Sequence, residues 1–315
     1  MGARGLWAWA WSGPALLTCG NRGFRTQLLR LMAVFLPLSA FGQTTIAPDA
    51  AFSYAANIGW LNARGDVAQG AVIGAAFLRG HVWSANGGWI SLGNPSGPVN
   101  GWRYSNTVVD RQNDWGVNHD SEGRLFGCAW GANIGWVVFE QTHGCPRVNL
   151  DTGELSGYAW GANVGWIRLD GLRTERFDSG ADSDADGLPD WWEYWRAGNL
   201  TTLAGGEKDA DGDGETDVAE YRADTDPLAV SDRLRIVRLT WEQDVATLVW
   251  RVRMSRRYVV EAAGALAPLP NPQWQNISGN PLVPVSEPEM SWGSDEAGRS
   301  RRFYRVRPVV PLSGP

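Results

Sequence analysis

The sequence predicts a mainly β protein in three parts. These are an N-terminal Trp-repeat β domain, a short loop-rich acidic segment with two short helices, and a C-terminal β-sandwich. Three observations carry this reading. A motif built on Asn, Gly and Trp recurs four times in the first half. Aspartates then alternate at fixed spacing around glycines, and the chain ends in short runs rich in β-branched and aromatic residues.

The chain has 315 residues, enough for two or three domains each with its own core. Its 19 Trp and 39 Gly residues point to large aromatics joined by tight turns. The net charge of −6 hides an asymmetry. Between Asp178 and Asp232 stand 16 acidic side chains against three basic ones, a balance of −13, so the rest of the chain carries +7. Such a block repels itself unless cations neutralise it, and it is a poor partner for nucleic acid.

Residues 1–42 read as a signal-peptide region, with an over-extended start. Arg22, Arg25 and Arg30 precede the apolar run Leu31–Phe41, and Ala40-Phe41-Gly42 suits cleavage before Gln43. The run is too short, and too soon broken by Pro37, to span a membrane. The expected location is therefore secreted or at the cell surface, with no membrane span in the mature chain. Cleavage leaves two cysteines, Cys128 and Cys145, expected to form a structural disulfide worth ~3 kcal/mol.

Residues 43–175 hold the repeats. Tyr54-Ala-Ala-Asn-Ile-Gly-Trp60, Trp83-Ser-Ala-Asn-Gly-Gly-Trp89, Trp130-Gly-Ala-Asn-Ile-Gly-Trp136 and Trp160-Gly-Ala-Asn-Val-Gly-Trp166 align without gaps. Each reads as strand, turn, strand. Large and small groups alternate in Leu155–Trp160, Asn163 can bond its own backbone in the turn, and Gly165 permits close approach. The tryptophans have two readings. Packing neighbouring hairpins together, in place of an aliphatic core, is the expected one. In the other, Trp60, Trp89, Trp136 and Trp166 face outward in a flat row that stacks on sugar rings. Whether the hairpins close into a ring or stack in an open row is not set by the sequence.

Residues 176–231 carry two twelve-residue loops. Asp182, Asp184, Asp186, Asp190 and Glu193 occupy positions 1, 3, 5, 9 and 12 of the first, with Gly187 at position 6. Asp209, Asp211, Asp213, Asp217 and Glu220, with Gly214, repeat that pattern in the second. This is the D-x-D-x-D-G-x5-E spacing of a calcium loop. Calcium takes six to eight oxygens at about 2.3–2.6 Å, and alternate aspartates on a tightly wound loop all point inward. The carbonyls of Leu188 and Glu215 supply the position 7 ligands, and Glu193 and Glu220 close the two sites from the first turn of an exiting helix. Magnesium, with its stricter octahedron and retained waters, fits less well. An EF-hand is not expected, because Thr174–Ala181 and Thr201–Lys208 lack helical periodicity.

These loops, together with Gly198-Asn-Leu200 and Asp224-Thr-Asp-Pro227, resemble bacterial thrombospondin type 3 repeats. The resemblance covers about Asp178 to Asp232. It implies calcium-binding, stiff spacers in exported proteins, and Asp226 as a further ligand. Asp224 stands where that family more often has Gly.

Residues 232–315 return to strands, among them Arg235–Trp241, Ala246–Val252, Arg257–Glu261 and Arg302–Arg307. No Ser/His/Asp order, phosphate loop or isolated carboxylate pair stands apart from the loops, and three His residues offer few bases. The expected function is that of a non-catalytic surface protein with a structural or adhesive role. A carbohydrate-binding protein is the alternative, and a glycan-acting hydrolase the lesser one. Beyond calcium, the expected partner is a surface glycan or another extracellular protein.

Overall fold

The computed structural model describes residues 43–107, 113–265, 273–295 and 302–312. The expected signal region lies outside the described residues. The fold is mainly β. The first repeat forms β1 (Ile46–Ala55) and β2 (Gly59–Asn62), followed by a small ribbon, β3 (Val72–Ile73) and β4 (Leu78–Arg79). The second forms β5 (His81–Ser84) and β6 (Gly88–Ser91). After β7 (Val117–His119), the third forms β8 (Leu125–Gly131) and β9 (Gly135–Phe139). A second ribbon, β10 (Arg147–Val148) and β11 (Leu155–Ser156), precedes the fourth, β12 (Tyr158–Gly161) and β13 (Gly165–Arg168). The short β14 (Leu172–Thr174) follows.

The four hairpins pair side by side, all antiparallel, in the order β1-β2-β5-β6-β8-β9-β12-β13. β13 then pairs with β1 through Tyr54↔Arg168 and Ala55↔Ile167, so eight strands close into a barrel. β14 and β7 are added beside β1 and β8.

Alternation decides what fills the barrel. Along β12 and β13, Ala159, Gly161 and Ile167 point inward, whereas Tyr158, Trp160, Trp166 and Arg168 are exposed. The core is aliphatic: Leu61, Val82, Ile90, Ala129, Val137 and Ile167 are at most 9% exposed. The tryptophans therefore do not replace an aliphatic core, contrary to the expected reading. An eight-stranded barrel has room for one layer of side chains from each wall, and indoles from every strand would overfill it.

The A-N-x-G turns close one end. Gly59, Gly88, Gly135 and Gly165 take left-handed φ of 73 to 77°, which favours Gly in each hairpin loop. In three of the four turns the side chain before that Gly folds back over the barrel mouth. Ile134 and Val164 are buried there, with Ile58 packed against them. Gly131 and Gly161 leave the space they need, since a Cβ would lie 2.8 and 2.7 Å from Ile134 Cγ1 and Val164 Cγ2. The turn asparagines reach across to the preceding hairpin and do not serve their own turns. Asn86 Nδ2 donates to Ile58 O (3.1 Å), Asn133 to Gly87 O (3.4 Å) and Asn163 to Ile134 O (3.0 Å). The fourth join is made by backbone, Asn57 N to Val164 O at 3.3 Å.

The loop segment forms only two helices, α1 (Asp190–Ala197) and α2 (Asp217–Ala223), each leaving a loop and neither entering one. Leu188, Trp192 and Leu203, all fully buried, make a small core between the loops. The last part is a sandwich. β15 (Ile236–Glu242), β16 (Val245–Arg251) and β19 (Glu289–Asp295) form one sheet. β17 (Arg257–Ala263), β18 (Gln275–Asn276) and β20 (Phe303–Val309) form the other. Leu248, Trp250, Tyr258 and Val260 pack between them.

The expected disulfide is not formed. Cys128 is buried on β8, its Sγ 3.2 Å from Asn106 Oδ1, while Cys145 is exposed and its Sγ lies 3.2 Å from Gln141 O. Cys128 sits on the outer side of β8 beneath the loop that carries Asn106. Cys145 sits in the turn after β9. An even cysteine count says nothing of whether the two sulfurs can meet. Among the described residues, no helix is long and apolar enough to cross a membrane.

Candidate metal loops and the aromatic collar

In the first loop the carboxylates of Asp182, Asp184 and Asp186 converge, with ligand oxygens within 4.8 Å of one another. Backbone winds around them. Asp182 accepts N–H bonds from Asp186 and Gly187, both at 3.1 Å, and Asp186 accepts from Leu188 N at 2.8 Å. Asp209, Asp211 and Asp213 converge in the same way, with Asp209 accepting from Gly212 N (2.7 Å) and Gly214 N (2.9 Å). Those bonds hold Asp209 below the usual carboxylate range, the Gly214 bond most of all.

Helices α1 and α2 bring in the closing glutamates. Asp190 and Glu193 lie in the first turn of α1, where the helix dipole favours negative charge. In α2, Thr216 caps the helix by accepting from Ala219 N at 3.2 Å. Glu193 is 0% exposed and Glu220 1%. Neither oxygen of Glu193, nor Glu220 Oε2, has a hydrogen-bond partner. Asp186 Oδ2, Asp211 Oδ2 and Asp213 Oδ2 are also buried without one, the last with Arg233 Nε at 3.9 Å. Burial, reinforced by the neighbouring aspartates, pushes both glutamates up to about 8. Buried carboxylate oxygens beside other carboxylates are costly unless a cation meets them. An oxygen-rich, purely anionic donor set with backbone carbonyls suits a hard cation that accepts an irregular shell.

The position 9 aspartates accept hydrogen bonds within their own loops. Asp190 accepts from Ser183 N (2.7 Å) and Ser183 Oγ (2.6 Å), and Asp217 from Ala210 N (2.9 Å). Each ties loop position 2 to the start of its helix. Asp226, the further ligand implied by resemblance, stands outside both triads. It accepts from Leu228 N at 3.2 Å and lies 3.9 Å from Arg196 Nη1. Asp224 takes a left-handed φ of 59° as the C-cap of α2, held by Arg196 and by Ser255 Oγ. Leu188 and Glu215 stand at position 7 of their loops, Leu188 fully buried.

The segment is anchored on both sides. Arg256 donates to Arg222 O (2.7 Å) and Tyr221 O (2.8 Å), capping α2 from the sandwich. Arg257 forks onto Asp151 of the barrel domain at 2.6 and 2.8 Å. On the other side, Trp195 of α1 packs against Trp102 at 5.9 Å between centroids, and Arg196 lies 3.8 Å over the Trp195 ring. These partners are distant in sequence, and no local motif marks them.

The tryptophans form a collar around the plugged end of the barrel. Facing pairs are Tyr54↔Trp60, Trp83↔Trp89, Trp130↔Trp136 and Trp160↔Trp166. Seven of these rings are 38 to 65% exposed. Trp136 is half-buried by Trp115, 5.4 Å away. Trp60, Trp89, Trp136 and Trp166 do not make a flat row, because each belongs to a different hairpin around the barrel. The rings also cross within pairs, at 76° for Tyr54–Trp60, 57° for Trp83–Trp89 and 64° for Trp130–Trp136.

No protein-family model matches the chain, and neither a curated protein nor a solved structure is significantly similar to it.

Proposed function

We propose that this is an exported, non-catalytic modular protein that binds two calcium ions, one in Asp182–Glu193 and one in Asp209–Glu220, in a structural or adhesive role. The single observation that carries the reading is the pair of buried carboxylates, Glu193 with neither oxygen partnered and Glu220 with Oε2 unpartnered and Oε1 bonded to Thr225 Oγ1. Each is raised by burial and by the charge of aspartates in its own loop, where three aspartates converge. Asp182, Asp184 and Asp186 with the Leu188 carbonyl and Glu193 would hold the first ion. Asp209, Asp211 and Asp213 with the Glu215 carbonyl and Glu220 would hold the second. Export is supported by the basic-then-apolar pattern of residues 22–42, and the spacer role by the resemblance to thrombospondin type 3 repeats.

Calcium supplies positive charge where the fold has gathered mostly negative, Arg233 beside Asp213 being the exception. The segment's core is three buried apolar residues, too few to hold two acidic loops closed against their own repulsion. Folding of the segment and cation binding are therefore coupled. Isothermal titration of the purified full chain tests this, with two sites expected, together with a melting temperature that falls when EDTA is added. No heat on calcium addition and an EDTA-insensitive melting temperature would sink it.

A further inference from the structure

We propose that the plugged end of the barrel is a lipid-interface surface, which enters the headgroup layer of a membrane without crossing it. The proposal does not depend on the calcium loops.

The composition of that end is the first argument. The four segments 54–60, 83–89, 130–136 and 160–166 total 28 residues and contain no Asp, Glu, Lys or Arg. A chain that is 20% charged would place about six there. Eight of the 28 are Trp or Tyr, the residues whose apolar body and polar edge suit the boundary between water and hydrocarbon.

Geometry is the second. A glycan chain lies along one side of a protein and is met by rings on that side. Here each hairpin sends its pair outward in its own direction around the barrel, so the rings suit a medium that surrounds the tip. The crossed ring planes within three of the pairs give no shared platform for a sugar.

The third argument is that the tip can afford a poorly hydrating layer. Neighbouring turns satisfy one another through Asn86, Asn133, Asn163 and the Asn57 N–H, and Ile58, Ile134 and Val164 plug the mouth. The residues at the turn tips are Ala and Asn, with no charge to desolvate. Trp115 covers the collar on one side, at Trp136, and the contacts of the two small ribbons with the rest of the chain lie elsewhere. Asp151 and Gly153, which meet Arg257 and Leu312, and Ile73 and Arg79, which meet Asp178, belong to ribbons away from the turns. Strands β2, β5, β6, β12 and β13 have four residues each, against the 9–11 a spanning strand needs, so the tip lies in the interface.

The experiment uses the mature chain from Gln43 with calcium and sucrose-loaded vesicles of neutral phosphatidylcholine, read by co-sedimentation. Quenching of tryptophan emission by brominated phosphatidylcholine is the second readout. Expected are sedimentation with the vesicles, quenching by bromine near the headgroups, and little change in high salt, because no charge is involved. The quadruple variant W60S/W89S/W160S/W166S should lose about tenfold in partitioning with its circular dichroism unchanged, since these rings face solvent. If that variant fails to fold, W60F/W89F/W160F/W166F, which keeps apolar rings, should retain measurable binding and show less of the quenched emission. Absence of vesicle binding, binding abolished by salt, or quenching unaltered by the Phe variant would overturn the proposal. So would a glycan array in which the collar variants lose binding while vesicles are ignored.

Discussion

Asn163 donates its side-chain amide to the carbonyl of Ile134, in the turn of the hairpin before its own. The same bond joins Asn133 to Gly87 and Asn86 to Ile58, so the Asn of the repeat is a clasp between units. Asn57, the equivalent residue in the first unit, closes the ring through its backbone N–H. Asn163→Ala should therefore cost about 1 kcal/mol, the usual worth of a hydrogen bond, and Asn57→Ala distinctly less. Chemical denaturation of the two variants under identical conditions checks the difference. Equal losses would remove the clasp from the account.

Removing one closing carboxylate should remove one site. Glu193→Gln keeps the shape of the side chain and takes away its charge, as does Glu220→Gln. Each single variant is expected to bind one calcium ion where the unaltered chain binds two, and the double variant to lose more than tenfold in affinity at both loops. Titration calorimetry reports the stoichiometry directly.

Both glutamates are raised to about 8 in the ion-free protein, well above the ordinary carboxylate value of 4.5. A carboxyl raised by folding contributes stability that is whole below about pH 4.5 and is lost as pH climbs through about 8. In EDTA the melting temperature should therefore fall between pH 5 and pH 8. With calcium present the ionised forms are required, and that fall should vanish. At pH 7 calcium should also displace up to one proton per loop, and fewer above pH 8. Calorimetry in buffers of different ionisation enthalpy measures the protons.

The fork of Arg257 onto Asp151 links the sandwich to the barrel domain. Arg257 is 9% exposed and Asp151 nearly half, so the pair is worth less than a buried one. A double-mutant cycle with Arg257→Ala and Asp151→Ala should give a coupling of about 1 kcal/mol. Protease cleavage between the parts should become faster in either single variant. A coupling near zero would mean that the parts are held by other contacts.

The acidic loops were legible as loops because their information is local. Aspartates alternating around a glycine within twelve residues state the tight turn and the convergence of Asp182, Asp184 and Asp186 and of Asp209, Asp211 and Asp213. The hairpins were legible too, from Y-A-W-G alternation and the N-x-G turns. What alternation cannot state is which face looks inward. Ala159 and Ile167 line the core while Trp160 and Trp166 face water, since closure into eight strands sets an interior too narrow for indoles. Asn163 was read as serving its own turn because its partner, Ile134, is 29 residues away. The same limit applies to Cys128, buried on β8, and Cys145, exposed in the turn after β9. Asp226 was assigned by resemblance, and the nearby Arg196 engages it instead.

Closure of β13 on β1 also fixes the number of repeats. An open stack of hairpins can gain or lose a unit by duplication or deletion, each new copy resting on its neighbour. A ring cannot. A fifth hairpin would make ten strands, widen the interior beyond what Ala55, Ala129 and Ala159 with their larger neighbours can fill, and leave the mouth too broad for Ile58, Ile134 and Val164. A third unit lost would open two sheet edges to water or to another chain. The copy number four is thus a property of the fold, and the repeats are free to diverge in sequence only where divergence leaves the circle whole.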